Sequence, residues 1–167
     1  MTIDVDGGDT PWLDAEEMQA WRALASVLGR LDAALDAQLR RDAGMSHFDY
    51  VVLAALSDAP DRTLRMSELA FLAEGSLSRL SQVVTRLENR GWVQRSPDPA
   101  DGRYTLAMLT EPGLAKVVAA APGHVREVRR LVLQPLTRAQ LRQLAGIAAR
   151  ISVALSPDGS GPPWPAR

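Results

Sequence analysis

Ser78, Arg79 and Gln82 fall on one side of a predicted helix, and Arg86, Arg95 and Arg103 follow within the next turns of chain. These residue types match the edges of nucleic-acid bases. Arginine can place two hydrogen bonds on guanine, glutamine two on adenine, and serine adapts to either. The hydroxyls of Ser76, Ser81 and Thr85, with Arg86 and Arg95, suit phosphate oxygens, which position a protein on a duplex without reporting its sequence. Arg103 closes the segment PDPADGR, a turn on composition alone. An arginine presented there beside Asp101 is suited to a narrow minor groove, whose negative potential attracts it.

The elements that must hold these side chains are legible from periodicity. Leu77, Leu80, Val83, Val84 and Leu87 recur at the spacing of one buried helix face, which turns Ser78, Arg79, Gln82 and Arg86 outward. Gly91 supplies the left-handed stop expected at a helix end. Trp92, Val93, Gln94 and Arg95 then read as a strand, followed by the charged turn and a second strand ending near residue 109. Upstream, Ser67 is expected to cap a short helix, SELAFLAE, so that this helix, Gly75 and the next helix form a helix-turn-helix. Thr63 to Arg65 is short enough for one strand rung.

The flanks read as longer helices. Met18, Trp21, Leu24, Leu28, Leu31 and Leu35 alternate at spacings of three and four, the seam of a helix that packs along another, with an interruption expected at Gly29. Gly44 ends it, and Ser46 with Asp49 caps the next helix. A long helix opened by Thr110 and Gly113 carries Leu114, Val117, Val118, Val125, Val128, Leu131 and Val132, and is expected to kink or break at Pro122 and Gly123. Thr137 caps a last helix carrying Leu141, Leu144, Ile147, Ile151 and Leu155. So small a core cannot cover both terminal stripes, so the stripes of two subunits are expected to meet.

Bulk properties set the limits. The 167 residues suit one domain, or one compact domain with an added oligomerisation element, and the formal net charge of -1 makes local arginine clustering the electrostatic signal. Acids collect in the first third instead. There is no cysteine and only two histidines, so no thiolate metal site, disulfide or assembled catalytic triad is expected, nor any cofactor. Ser76 and Ser78 lack the turn that exposes a nucleophile. An acidic N-terminus and the lack of a membrane-length apolar run lead to the expectation of a soluble cytoplasmic protein with no membrane partner. Residues 1–12 and 156–167, rich in Gly, Pro, Ser and Asp, are expected to be disordered.

Trp21, His47, Phe48 and Tyr50 have two readings. They line an effector pocket where the first and second helices meet, or they are core and dimer packing. His124, after Pro122 and Gly123, is expected to face solvent.

In this order and spacing, SELA at 67–70, RLENRGWVQR at 86–95, DGR at 101–103 and LTEPG at 109–113 resemble the MarR (multiple antibiotic resistance) family of bacterial regulators over about 21–151. The resemblance implies a mainly α fold with a small β wing. The winged helix-turn-helix lobe would lie at about 46–109, with dimerisation helices at about 13–41 and 113–155, all within a domain spanning 13–155. It further implies a homodimer on a palindromic operator in double-stranded DNA, with Arg103 in the minor groove and Asp101 holding it by a salt bridge. A repressor released by a small phenolic or lipophilic anion, and no enzyme, is the expectation. The rival is a winged-helix protein-interaction module that docks a protein on the same helix face.

Overall fold

The computed structural model describes residues 11–156, in two compact units that part between Ala33 and Ala34. The ends expected to be disordered fall, apart from Pro11, Trp12 and Ser156, outside the described residues. Helix α1, Ala15–Ala43, runs through both units. It starts on a reciprocal cap, the Asp14 carboxylate accepting from the Glu17 amide and the Glu17 carboxylate from the Asp14 amide. The interruption expected at Gly29 is absent, because a single exposed glycine lowers helix propensity without breaking the hydrogen-bond ladder. In the first unit Trp21, Val27 and Leu28 are exposed.

The second unit holds the core. Helix α2, His47–Asp58, starts on the expected capping box of Ser46 and Asp49. Strand β1, Thr63–Arg65, leads directly into α3, Met66–Leu72, and α4, Leu77–Asn89, follows after a short turn. Strands β2, Val93–Pro97, and β3, Thr105–Leu109, form an antiparallel hairpin, and β1 pairs with the other edge of β3, giving the order β1-β3-β2. Helix α5, Glu111–Val128, is followed by a π-helical turn, Arg129–Leu133, and then α6, Arg138–Leu155. Leu39, Val52, Leu53, Leu56, Leu69, Leu80, Val84 and Leu87 are buried together, so α4 is anchored by one apolar face. On α6 nothing is buried; Leu144, Ile147 and Leu155 are exposed.

Four local expectations are corrected. Ser67 is not the cap of α3: the helix already includes Met66, and the Glu68 carboxylate accepts from the Arg65 amide, since β1 passes into α3 without a linking residue. Leu77 is not buried with the α4 stripe but is 55% exposed, because at the first helical residue it lies beyond the edge of the core. Pro122 does not break α5, which continues to Val128. The residue four back, Val118, is on an exposed face, where water can satisfy a carbonyl without an amide partner. His124 consequently stays on a helix packed against α2 and is half-buried rather than solvent-facing. Among the described residues no helix is long and apolar enough to cross a membrane.

Candidate nucleic-acid interface

Helix α4 presents its polar face because its apolar face is anchored. With Leu80, Val83, Val84 and Leu87 inside, Ser78, Arg79, Gln82, Thr85 and Arg86 are exposed. The helix starts on Ser76, whose hydroxyl accepts from the Arg79 amide at 3.2 Å. It stops at Gly91, whose φ of +72° is left-handed backbone that a side chain would disfavour. The Thr110 hydroxyl donates to the Gly91 carbonyl at 2.7 Å and also caps α5, so one residue ties the end of α4 to the start of α5.

The wing is braced from within the lobe. Asp98, at the base of the β2–β3 loop and 8% exposed, accepts from Arg65 of β1 at 2.8 Å and from the Ala100 amide at 2.8 Å. Those two donors hold its carboxyl below the usual aspartate value, the amide contributing most. The Arg65 guanidinium also lies 4.4 Å from the Tyr104 ring centroid. At the tip, Arg103 donates to Asp101 from Nη2 at 2.6 Å and from Nε at 3.0 Å. Its side chain remains 85% exposed. This paired but protruding arginine depresses the Asp101 carboxyl and is itself raised by it. The geometry suits insertion into a groove, since the carboxylate orients the cation without covering it.

Between α4 and the wing lies an open groove of about 380 Å³, with Leu77, Ser81, Arg95, Arg103 and Tyr104 on its walls. Three of the sequence-derived candidates, Ser81, Arg95 and Arg103, thus meet on one surface. Two arginines have additional work inside the fold. Arg95 makes two side-chain bonds to Glu88, at 2.7 and 3.0 Å, and its amide donates to the same carboxylate, which holds Glu88 below the ordinary glutamate value. Arg86 bonds Asp49 of α2. The Thr85 hydroxyl donates back to the Ser81 carbonyl. Pairs such as Arg65–Asp98 and Arg86–Asp49 were outside the reach of sequence reasoning, because their partners lie far apart in the chain and no local spacing joins them.

The aromatic candidates separate. Trp21 is in the first unit and exposed, whereas His47, Phe48 and Tyr50 are on α2 in the second. His124 of α5 lies 4.4 Å from the Tyr50 ring and 5.5 Å from the His47 ring. Burial, then the neighbouring His47, holds the His124 imidazole below the usual histidine value. Phe48 turns elsewhere, its ring 4.1 Å from the Arg79 guanidinium carbon. Among the described residues no cluster of three or more acidic or histidine side chains could hold a metal ion.

Known proteins share this arrangement. A family model described as MarR family matches residues 43–103, the span from the end of α1 to the wing tip. The HTH-type transcriptional regulator YdcH of Bacillus subtilis (strain 168) is 32% identical over 104 residues, 61% of this chain and 67% of its own length. Among solved structures, the MarR family transcriptional regulator Sco3205 of Streptomyces coelicolor, crystallised in complex with DNA, is 43% identical, with a TM-score of 0.85 over 90% of this chain and 98% of that one. AbsC of the same organism, also a MarR family regulator, is 36% identical, with a TM-score of 0.82 over 87% of this chain and 98% of that one. With its anchored helix-turn-helix, braced wing and these relatives, the chain belongs to the MarR family of DNA-binding transcriptional regulators, which are not enzymes.

Proposed function

We propose that the protein acts in the cytoplasm as a homodimeric repressor that binds a palindromic operator and leaves it when a small organic anion binds. One observation carries the DNA reading: exposed Ser78, Arg79 and Gln82 on α4 stand beside a wing whose Arg103 is held outward by Asp101. Base reading belongs to the three α4 residues, minor-groove contact to Arg103, and phosphate contact to Ser76, Ser81, Thr85 and Arg95. Arg86 joins the phosphate contacts from its pair with Asp49. Dimerisation is supported by the apolar residues that α1 and α6 leave exposed in a single chain, among them Trp21, Leu28, Ile147 and Leu155. Two recognition helices on a two-fold axis must enter successive major grooves roughly 34–36 Å apart, so an effector that alters their spacing weakens binding.

The effector reading rests on His47, Tyr50 and His124. Nδ1 of His124 is buried without a hydrogen-bond partner among the described residues, an unmet polar group that a ligand can satisfy. The test is a mobility-shift titration on operators selected from random duplexes, repeated at increasing salt and then with small aromatic acids. A palindromic selected site, a steep fall with salt and release by at least one acid are expected. Salt-insensitive or sequence-independent retention would overturn the operator reading.

A further inference from the structure

Phe48 and Arg79 come from different helices, α2 and α4, and meet across them. The guanidinium carbon of Arg79 sits 4.1 Å from the Phe48 ring centroid. The far edge of the same ring fills the space over Gly75, in the turn between α3 and α4: a Cβ there would fall 2.6 Å from Phe48 Cζ. The left-handed backbone in that turn is at Glu74, with φ +50°, so Gly75 is required for space and not for its dihedral freedom. The ring is therefore seated between the turn and the arginine. Its helix is equally constrained, because Ser46 and Asp49 cap the first turn of α2 reciprocally and Asp49 is bonded to Arg86 of α4.

The mode of contact matters chemically. Arg65, Arg86, Arg95 and Arg103 are each held by a carboxylate, which occupies the N–H edge of the guanidinium. Arg79 lies over a ring instead, and among the described residues no carboxylate takes up its N–H groups. A contact to a ring restricts the side chain without the ring accepting as a carboxylate does, so the five N–H donors stay available for a base.

We propose that Phe48 is a positioning residue for base recognition, holding the Arg79 guanidinium by a ring contact and leaving its N–H donors to the operator. The proposal rests on the reading that α4 lies in the major groove with Arg79 on a base. It assigns Phe48 to DNA specificity instead of an effector pocket.

The test uses the full chain and duplexes selected by it, with affinity followed by fluorescence anisotropy for the selected operator and for each single-base variant. The proteins compared are wild type, Phe48→Leu, Phe48→Tyr, Arg79→Ala and the double variant Phe48→Leu/Arg79→Ala. Phe48→Leu is expected to weaken operator binding roughly two- to thirtyfold, the range of a cation–π contact. The lost preference should fall at the same base pair that Arg79→Ala relaxes. Phe48→Tyr, which keeps the ring face, should retain the wild-type preference, and the double variant should bind no worse than Arg79→Ala. Preference is a ratio between two duplexes on folded protein, so reduced stability of Phe48→Leu does not move it. The proposal is overturned alone if Arg79→Ala relaxes one base pair while Phe48→Leu leaves it intact, weakens all duplexes equally or tightens binding. It falls together with the α4 reading if Arg79→Ala relaxes no base pair on an operator that wild type binds.

Discussion

Arg86 of α4 donates from Nη2 to the Asp49 carboxylate of α2 at 2.5 Å, and that carboxylate, on a residue only 2% exposed, also accepts from the Ser46 amide. One acid therefore caps α2 and pins it to α4. Removing the arginine leaves a buried carboxylate short of a partner, so Arg86→Ala is expected to lower unfolding free energy by about 1–3 kcal/mol. Urea denaturation of the purified variant measures this, and an unchanged midpoint would reduce the pair to a surface contact.

Arg79 is exposed on the same helix and reaches no further into the fold than the Phe48 ring. We predict that Arg79→Ala costs ~1–3 kcal/mol of operator binding and relaxes preference at one base pair. Equal loss on every duplex would reassign it to a phosphate.

At the wing, Asp101 orients Arg103 without covering it. Arg103→Ala should weaken operator binding roughly tenfold or more, as loss of a charge-assisted hydrogen bond does, while the melting temperature stays put. Asp101→Ala should give a smaller loss, because the cation remains but its orientation does not. Unchanged affinity in a mobility-shift titration of Arg103→Ala sinks the wing assignment.

A Cβ added at Gly113 would lie 2.1 Å from the Trp92 carbonyl oxygen and 2.8 Å from Leu109 Cδ1. Backbone must move to admit it, and overpacking of this kind costs about 1–3 kcal/mol. Gly113→Ala should accordingly melt lower than wild type. A variant of equal stability would show that the start of α5 yields easily.

Stability should fall in acid in two windows, the upper set by His124 and the lower by depressed carboxylates, Asp98 with Glu88 and Asp101. His124 has a folded value below 6.5, so the unfolded chain binds a proton more readily, and the stabilisation present above that value is lost as pH falls toward the folded one. Asp98 likewise contributes fully above 3.8 and loses its contribution as pH falls through its lower folded value. Denaturation midpoints taken across both windows should show two declines, the upper absent in His124→Gln and the lower reduced in Asp98→Asn. Parallel curves for variant and wild type would contradict the assignment.

Much of this molecule was legible as pattern. Apolar periodicity identified α4 and its outward Ser78, Arg79 and Gln82, because a helix with one anchored face has no freedom over which residues the other face shows. Gly91, the Ser46–Asp49 cap and the helix starts at Thr110 and Thr137 were legible for the same local reason: each satisfies backbone groups within a few residues. Periodicity misled at Leu77, which continues the stripe in sequence but lies past the edge of the core. It could not see that α5 would carry Pro122 through, since tolerance there depends on which side of the helix meets solvent. The MarR motifs, and with them the DNA-binding role, were likewise carried by the sequence alone. What only tertiary structure decided is which charged and aromatic side chains meet: Asp49 with Arg86, Asp98 with Arg65, His124 with Tyr50, and Phe48 with Arg79. Those contacts join residues from separate elements, and their existence follows from how the helices and the sheet pack, a property that no local spacing encodes.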